Sequence, residues 1–220
     1  MTILAIETST QVCSAAWCRD GVCLAERIQE TGSNHAALLP VFIDELLAEA
    51  RQQGWQADAV AVSEGPGSYT GLRIGLSTAK GLCYGWNVPL IPISTMDVLC
   101  AAAREQLGEK TGILVPMLDA RRMEVYTRVN GEVKAQIVTD ADWLPQGDKV
   151  YYFGDGAAKC KELLESPRCT LLEHVLPVAR VMGALAEKAE KQVGEKELAY
   201  FTPYYLKEFV AAPSHVKGLG

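Results

Sequence analysis

Two acidic residues stand at matching places in the 220-residue chain. Glu7 closes the apolar run Thr2-Ile-Leu-Ala-Ile6, and Asp119 closes the run Ile113-Leu-Val-Pro-Met-Leu118. Facing each other across a cleft, such carboxylates can position a metal-bound nucleotide. Thr8 and Ser9 follow the first acid. Ala120-Arg121-Arg122-Met123-Glu124 follows the second, and reads as a solvated salt-bridge network or as an anion or partner contact through Arg121 or Arg122. A third feature, Glu64-Gly65-Pro66-Gly67-Ser68-Tyr69-Thr70-Gly71, lies between a strand and a helix that carries Arg73. There the free N–H groups and dipole of the helix end can hold an anion. It matches neither common phosphate signature, because Thr70 interrupts GxGxxG and Leu72-Arg73 replaces the Lys-Ser/Thr of a Walker loop. A plain strand–helix turn and an anion site both stay open, here and at the counterpart Gly154-Asp-Gly156. Nucleophiles are poorly placed. Ser68 lacks the Gly-x-Ser-x-Gly spacing of a nucleophile elbow. No cysteine has a Cys-His context or a CxxC partner, and His35, His174 and His215 are too scattered to suggest a metal site.

The elements around these residues repeat. After Glu7, two short strands, Val12–Cys18 and Val22–Ile28, flank Asp20-Gly21, which favours a type I′ hairpin turn. The trio Cys13, Cys18 and Cys23 falls on this hairpin. A helix is predicted from about Asn34 to Gln53 on the spacing of Leu38, Leu39, Phe42, Ile43, Leu46 and Leu47, with Pro40 kinking its first turns or marking where its regular part begins. A strand over 57–63, a helix from about Thr70, a strand over 87–93 and a helix over 95–107 complete the first half. The second half begins again with an apolar strand ending on Asp119, then a hairpin turned by Asn130-Gly131. Lys149–Phe153 then runs into Gly154-Asp-Gly156-Ala157 and a further helix. The acid-to-turn-glycine spacing is 14 residues in one copy and 12 in the other. Two copies of one α/β unit are expected, over 1–108 and 109–210, followed by a loose, small-residue tail over 211–220.

Gly71, Gly75 and Ala79 recur every four residues on one side of the second helix. Interior helix glycines cost about 1 kcal/mol each relative to alanine. Close approach of another backbone offsets that, and the spacing fits packing on this chain's own first helix or on a partner's helix. The composition narrows the possibilities further. The chain is 49% hydrophobic, 22% charged and carries a formal charge of −6, which excludes disorder and disfavours a solitary grip on nucleic acid. Seven scattered cysteines, no basic leader and no long apolar span lead to the expectation of a cytoplasmic protein with reduced thiols and no membrane association.

The segments ILAIETST, GPGSYTGLRIGLSTAKGL, LDARRMEVYTRV and GDGA together resemble the TsaB (YeaZ) family of the tRNA threonylcarbamoyladenosine pathway, from residue 3 to about 207. The resemblance implies an α/β, actin-like fold of two RNase H-like lobes. It also implies a non-catalytic subunit for a TsaD-type transferase, which moves a threonylcarbamoyl group from an adenylate to the adenosine following the anticodon. A TsaE-type P-loop ATPase completes the assembly. TsaD-type relatives carry two metal-binding histidines where Thr95 and Leu99 stand here, so no metal site is implied. The family's first two helices contact TsaD, or a second copy in a homodimer. That assigns partner contact to Asn34, Leu38, Leu39, Phe42 and Leu46, and to Thr70, Gly71, Ile74, Gly75, Thr78, Ala79 and Leu82. A residual nucleotide or anion cleft would involve Glu7, Thr8, Ser9, Gly65, Gly67, Ser68, Arg73, Asp119, Arg121, Arg122, Gly154 and Gly156, with weak ATP or ADP binding and no required cofactor. tRNA would be held mainly by the partners. The chain departs from the family pattern at Glu7, where Asp is usual, at Met123, where Gly is usual, and at Lys207, where Arg is common. The rival reading is an actin-like ATPase or kinase working in the interlobe cleft.

Overall fold

Thr2–Glu7 forms β1, buried along its whole length. The computed structural model describes residues 1–32, 34–147 and 149–207; the tail expected over 211–220 lies outside them. β1 pairs antiparallel with β2 (Cys13–Arg19) and parallel with β4 (Ala59–Gly65), so it is an interior strand, and its unbroken burial means that both faces are covered. Alternation along β1 sorts its side chains accordingly. Leu4 and Ile6 enter one apolar cluster, and Ile3 and Ala5 enter another on the opposite face. β2 returns as β3 (Val22–Gln29) through Asp20 and Gly21, whose φ values of +50° and +77° are those of the expected turn.

α1 (His35–Gln53) and α2 (Tyr69–Trp86) cover the Leu4/Ile6 face, and α3 (Thr95–Leu107) covers the other. Pro40 lies inside α1, which starts ahead of it at His35. β5 (Leu90–Ser94) completes a first sheet of order β3-β2-β1-β4-β5. Trp17 is sealed beneath α1. Its indole N–H donates to the Leu46 carbonyl at 3.0 Å, its ring stacks on Trp86 at 6.3 Å, and Trp55 meets it edge-on at 6.5 Å. Such aromatic pairs contribute about 0.5–1.5 kcal/mol each beyond the area they bury.

The second sheet has the same plan. β6 (Ile113–Asp119) pairs antiparallel with β7 (Glu124–Val129) and parallel with β9 (Val150–Phe153). β8 (Glu132–Ile137) and β10 (Cys169–Leu172) form its edges, in the order β8-β7-β6-β9-β10. Each strand therefore has a counterpart in the first sheet, and the duplicated, actin-like α/β fold of two RNase H-like lobes is present. The copies differ in their helices. The helix expected after Gly154-Asp-Gly156-Ala157 is a three-residue 3₁₀ turn, Ala158–Cys160. Three-residue bonds dominate here, Cys160 N–H to Ala157 at 3.0 Å and Leu163 N–H to Cys160 at 3.1 Å, and the α-type bond from Leu164 N–H to Cys160 at 3.0 Å is not continued into a helix.

The chain then returns to the first sheet. A 3₁₀ turn at Ala179–Val181 and α4 (Met182–Ala186) pack in the cluster on the Ile3/Ala5 face, and the Ala179 N–H donates to Ser14 Oγ at 2.9 Å. Val193 exchanges backbone hydrogen bonds with Leu90 at 2.8 and 3.1 Å, and α5 (Glu195–Leu198) lies against α2.

Candidate interlobe cleft and helix face

A cleft of about 810 Å³ opens between the lobes. Its first-lobe wall comprises Ser9 to Gln11, His35, Pro66 to Gly71 and Ile74. Leu118 to Arg121, Tyr126 and Asp155 form the opposite wall, and Tyr204 to Lys207 run along its rim. Asp119, exposed, is ion-paired to Lys159, and its Oδ1 accepts the Arg121 N–H at 3.0 Å. Arg121 and Arg122 occupy the left-handed region at φ +70° and +51°, which a glycine would adopt without strain. Both are exposed and Arg121 lines the cleft.

Glu7 does not join Asp119 in the cleft. Its side chain is fully buried, accepting the Ser9 N–H at 2.7 Å and the Ser63 hydroxyl. Burial pushes its carboxyl above the ordinary carboxylate range, opposed by those two hydrogen bonds. The chain after a buried strand end folds back over the acid, and that closure separates the two carboxylates the sequence pairs. Thr8 is equally buried, with its hydroxyl donating to the Gly71 carbonyl at 2.8 Å. Ser9 is buried at the cleft wall, and its carbonyl accepts the Ser68 N–H at 2.7 Å. Ser68 caps α2 by accepting the Gly71 N–H at 3.2 Å. The His35 Nε2 faces the Thr10 and Val12 carbonyls at 2.9 and 3.1 Å, so it carries a proton. Neither group is arranged as a nucleophile and base. Gly65 and Gly67 fit under Tyr204 and Ser9, while Gly154 and Gly156 fit over Met117 and Leu118; of these four only Gly67 lines the cleft.

The rim is a strap that local sequence patterns did not reveal. The Tyr204 N–H donates to the Glu64 carbonyl at 2.7 Å, and Tyr205 packs on Tyr69 at 5.0 Å. The expected cleft residue Arg73 lies outside the lining: it covers the Tyr69 ring at 4.3 Å and donates to the Tyr205 hydroxyl at 3.1 Å. Lys207 pairs with Glu124 of the second lobe. Contacts that span 83 residues (Lys207–Glu124) and 132 residues (Arg73–Tyr205) leave no periodic signal.

The residues assigned to partner contact divide. Gly71, Gly75 and Ala79 face inward, as do Leu39 and Leu46. A β-carbon at Gly71 would overlap the Thr8 carbonyl oxygen, and one at Gly75 would overlap Thr8 Oγ1. The offset for these glycines is therefore close packing on the chain's own residues just beyond β1, rather than on α1 or a partner. Leu38, Phe42, Ile74, Thr78 and Leu82 are partly buried, and Asn34 and Thr70 are exposed. A second stripe with the same spacing, Ser77, Gly81 and Gly85, points outward from α2, and added β-carbons at Gly81 and Gly85 would meet nothing within 4 Å. Val41 (51% exposed) and Tyr84 (75%) add apolar surface on α1 and α2.

Comparison with known proteins decides the family. Residues 29–212 match the family described as "TsaD: tRNA N6-adenosine threonylcarbamoyltransferase". A tRNA threonylcarbamoyladenosine biosynthesis protein TsaB of Haemophilus influenzae is 32% identical over 96% of this chain and 95% of its own. The TsaB of Bacillus subtilis is 33% identical, over 75% and 76%. The chain belongs to the TsaB family. Among solved structures, YeaZ from Pseudomonas aeruginosa superposes with a TM-score of 0.74 at 26% identity, covering 93% of this chain and 99% of that one. An uncharacterized protein with similarity to peptidase YEAZ, from the same organism, gives 0.76 at 26% identity over 94% and 99%. The TsaB assignment accords with the actin-like topology. Among the described residues of this TsaB family member, no helix is long and apolar enough to cross a membrane.

Proposed function

We propose that this TsaB family member acts in tRNA threonylcarbamoyladenosine formation as a non-catalytic subunit in the cytoplasm. It organises a TsaD-type transferase through the outer side of α1 and α2, with a TsaE-type ATPase joining the assembly. The transferase and ATPase hold most of the tRNA. The same helix face serves self-association into a homodimer when the partner is absent.

The observation that carries the reading is the pair Gly81 and Gly85. Gly81 weakens the helix interior by about 1 kcal/mol relative to alanine, Gly85 extends the stripe into the last turn, and nothing in the described chain packs where their side chains would be. A second helix seated on that stripe supplies the close approach that offsets the loss. The flanking Ile74 and Leu82, partly buried on the same helix, provide apolar rim. Two other observations support the absence of turnover. Thr95 and Leu99 are fully buried in the core rather than lining the cleft. The burial of Glu7 counts against a paired-carboxylate ATPase.

Mixing with a TsaD-type transferase should give a stable heterodimer, burying at least ~1,200 Å² in total. Gly81→Leu should disrupt it while leaving the free subunit folded. Undiminished complex formation by a folded Gly81→Leu protein would overturn the interface.

A further inference from the structure

The proposed function leaves the cysteine trio on the first hairpin without a role. The two-residue Asp20-Gly21 turn places Arg19 opposite Val22, and therefore Cys18 opposite Cys23 on β2 and β3. Facing residues in antiparallel strands have Cα atoms about 4.5–5.5 Å apart, inside the ~4.4–6.8 Å span that a disulfide bridges. Both residues are free thiols. Their surroundings differ. Cys18 is fully buried, with Sγ 3.7 Å from the Arg180 carbonyl. It is wedged against Gly183, where an added β-carbon would lie 2.5 Å from its Cβ and 2.9 Å from its Sγ. Cys23 is only partly buried, with Sγ 3.6 Å from the Ala25 carbonyl.

The two thiols also influence each other's ionisation. Hydrogen bonding from Cys18 favours ionisation of Cys23 and holds its thiol below the usual value, with further help from the Arg180 guanidinium and opposition from burial and Glu26. The same contact pushes the Cys18 thiol well up. The partly buried Cys23 thiol is thus the one whose ionisation is eased, and the fully buried Cys18 thiol opposite it is the one kept protonated.

We propose that Cys18 and Cys23 are a reversible oxidative modification site, closing a disulfide across the β2–β3 hairpin in response to peroxide. The Cys23 thiolate attacks one oxygen of hydrogen peroxide and the O–O bond breaks, leaving a Cys23 sulfenic acid and hydroxide. Cys18 sulfur then attacks Cys23 sulfur. The S–S bond forms, the S–O bond breaks, and the departing hydroxide takes the Cys18 proton as water. In sum, two thiols are oxidised and one peroxide is reduced to two waters. Closure draws Cys18 Sγ from the Arg180 carbonyl toward Cys23, loosening a contact between the hairpin and the segment returning from the second lobe.

The test treats the full-length protein with hydrogen peroxide, alkylates the remaining thiols and maps tryptic peptides by mass spectrometry. Trypsin cuts after Arg19, so the peptide 1–19 with Cys13 and Cys18 and the peptide 20–27 with Cys23 stay joined only through sulfur, and fragmentation of the pair assigns the link. The expected product has lost two hydrogens, keeps two of its seven thiols from alkylation, and yields a Cys18–Cys23 linked pair. Dithiothreitol should restore both thiols, and Cys23→Ser should leave Cys18 reduced. The proposal fails if Cys23 accumulates as sulfinic acid without linking to Cys18. It fails equally if both stay alkylatable while other cysteines oxidise, or if Cys18 links instead to Cys13.

Discussion

Replacing Gly75 by alanine adds one methyl group to a helix that would ordinarily gain from it. On an open helix surface that change stabilises by about 0.5–1 kcal/mol. At Gly75 the new β-carbon would overlap Thr8 Oγ1, which is itself fixed by donating to the Gly71 carbonyl at 2.8 Å. Overpacking of this kind costs about 1–3 kcal/mol, and displacing the threonine also gives up a hydrogen bond of roughly 1 kcal/mol. The balance is a net loss of about 1–3 kcal/mol. Gly81→Ala, on the outer side of the same helix, should keep the gain. Thr8→Ala removes the obstructing oxygen, so combined with Gly75→Ala it should be more stable than the sum of the single changes, by about 1–3 kcal/mol of coupling. Urea unfolding of the four variants and the parent protein, with slopes compared to confirm a common unfolded state, reads all of this. A Gly75→Ala protein as stable as the parent, with no rescue by Thr8→Ala, would refute the inward packing of this stripe.

Glu7 and Trp17 allow further checks. Because burial raises the Glu7 carboxyl above its unfolded value, its contribution is fully present below the unfolded pKa and is lost as pH rises through the folded one. Stability of the parent protein relative to Glu7→Gln should therefore fall as pH is raised above the ordinary carboxylate range; a constant difference in urea midpoints would contradict this. Trp17→Phe removes the donor to Leu46 and part of the stack on Trp86. It should destabilise by about 2–4 kcal/mol, and a loss under half of that would show that the cluster contributes little.

Much of the fold was legible because the relevant signals are local. Asp20-Gly21 and Asn130-Gly131 both turn through positive φ as their residue types require. The repeated strand–acid–hairpin order appears as two sheets of identical strand order. The candidate site was less legible, for three physical reasons. A four-residue repeat of small residues has the same spacing whether it faces inward, as Gly71 and Gly75 do, or outward, as Gly81 and Gly85 do. The burial of Glu7 depends on how Thr8 and Ser9 fold back, which polarity alone does not specify. The strap at Tyr204–Lys207 closes over residues far away in sequence, and its partners Glu64, Arg73 and Glu124 form no pattern with it.

Calorimetric titration of a TsaD-type transferase with the parent protein and with Gly81→Leu tests the central claim most directly. Circular dichroism and thermal unfolding run alongside establish that the variant is folded. The parent protein should bind, and the variant should bind about 30-fold more weakly or worse, the loss expected when a central interface position is blocked. Equal affinity of the two folded proteins, or no binding by the parent, would contradict the account.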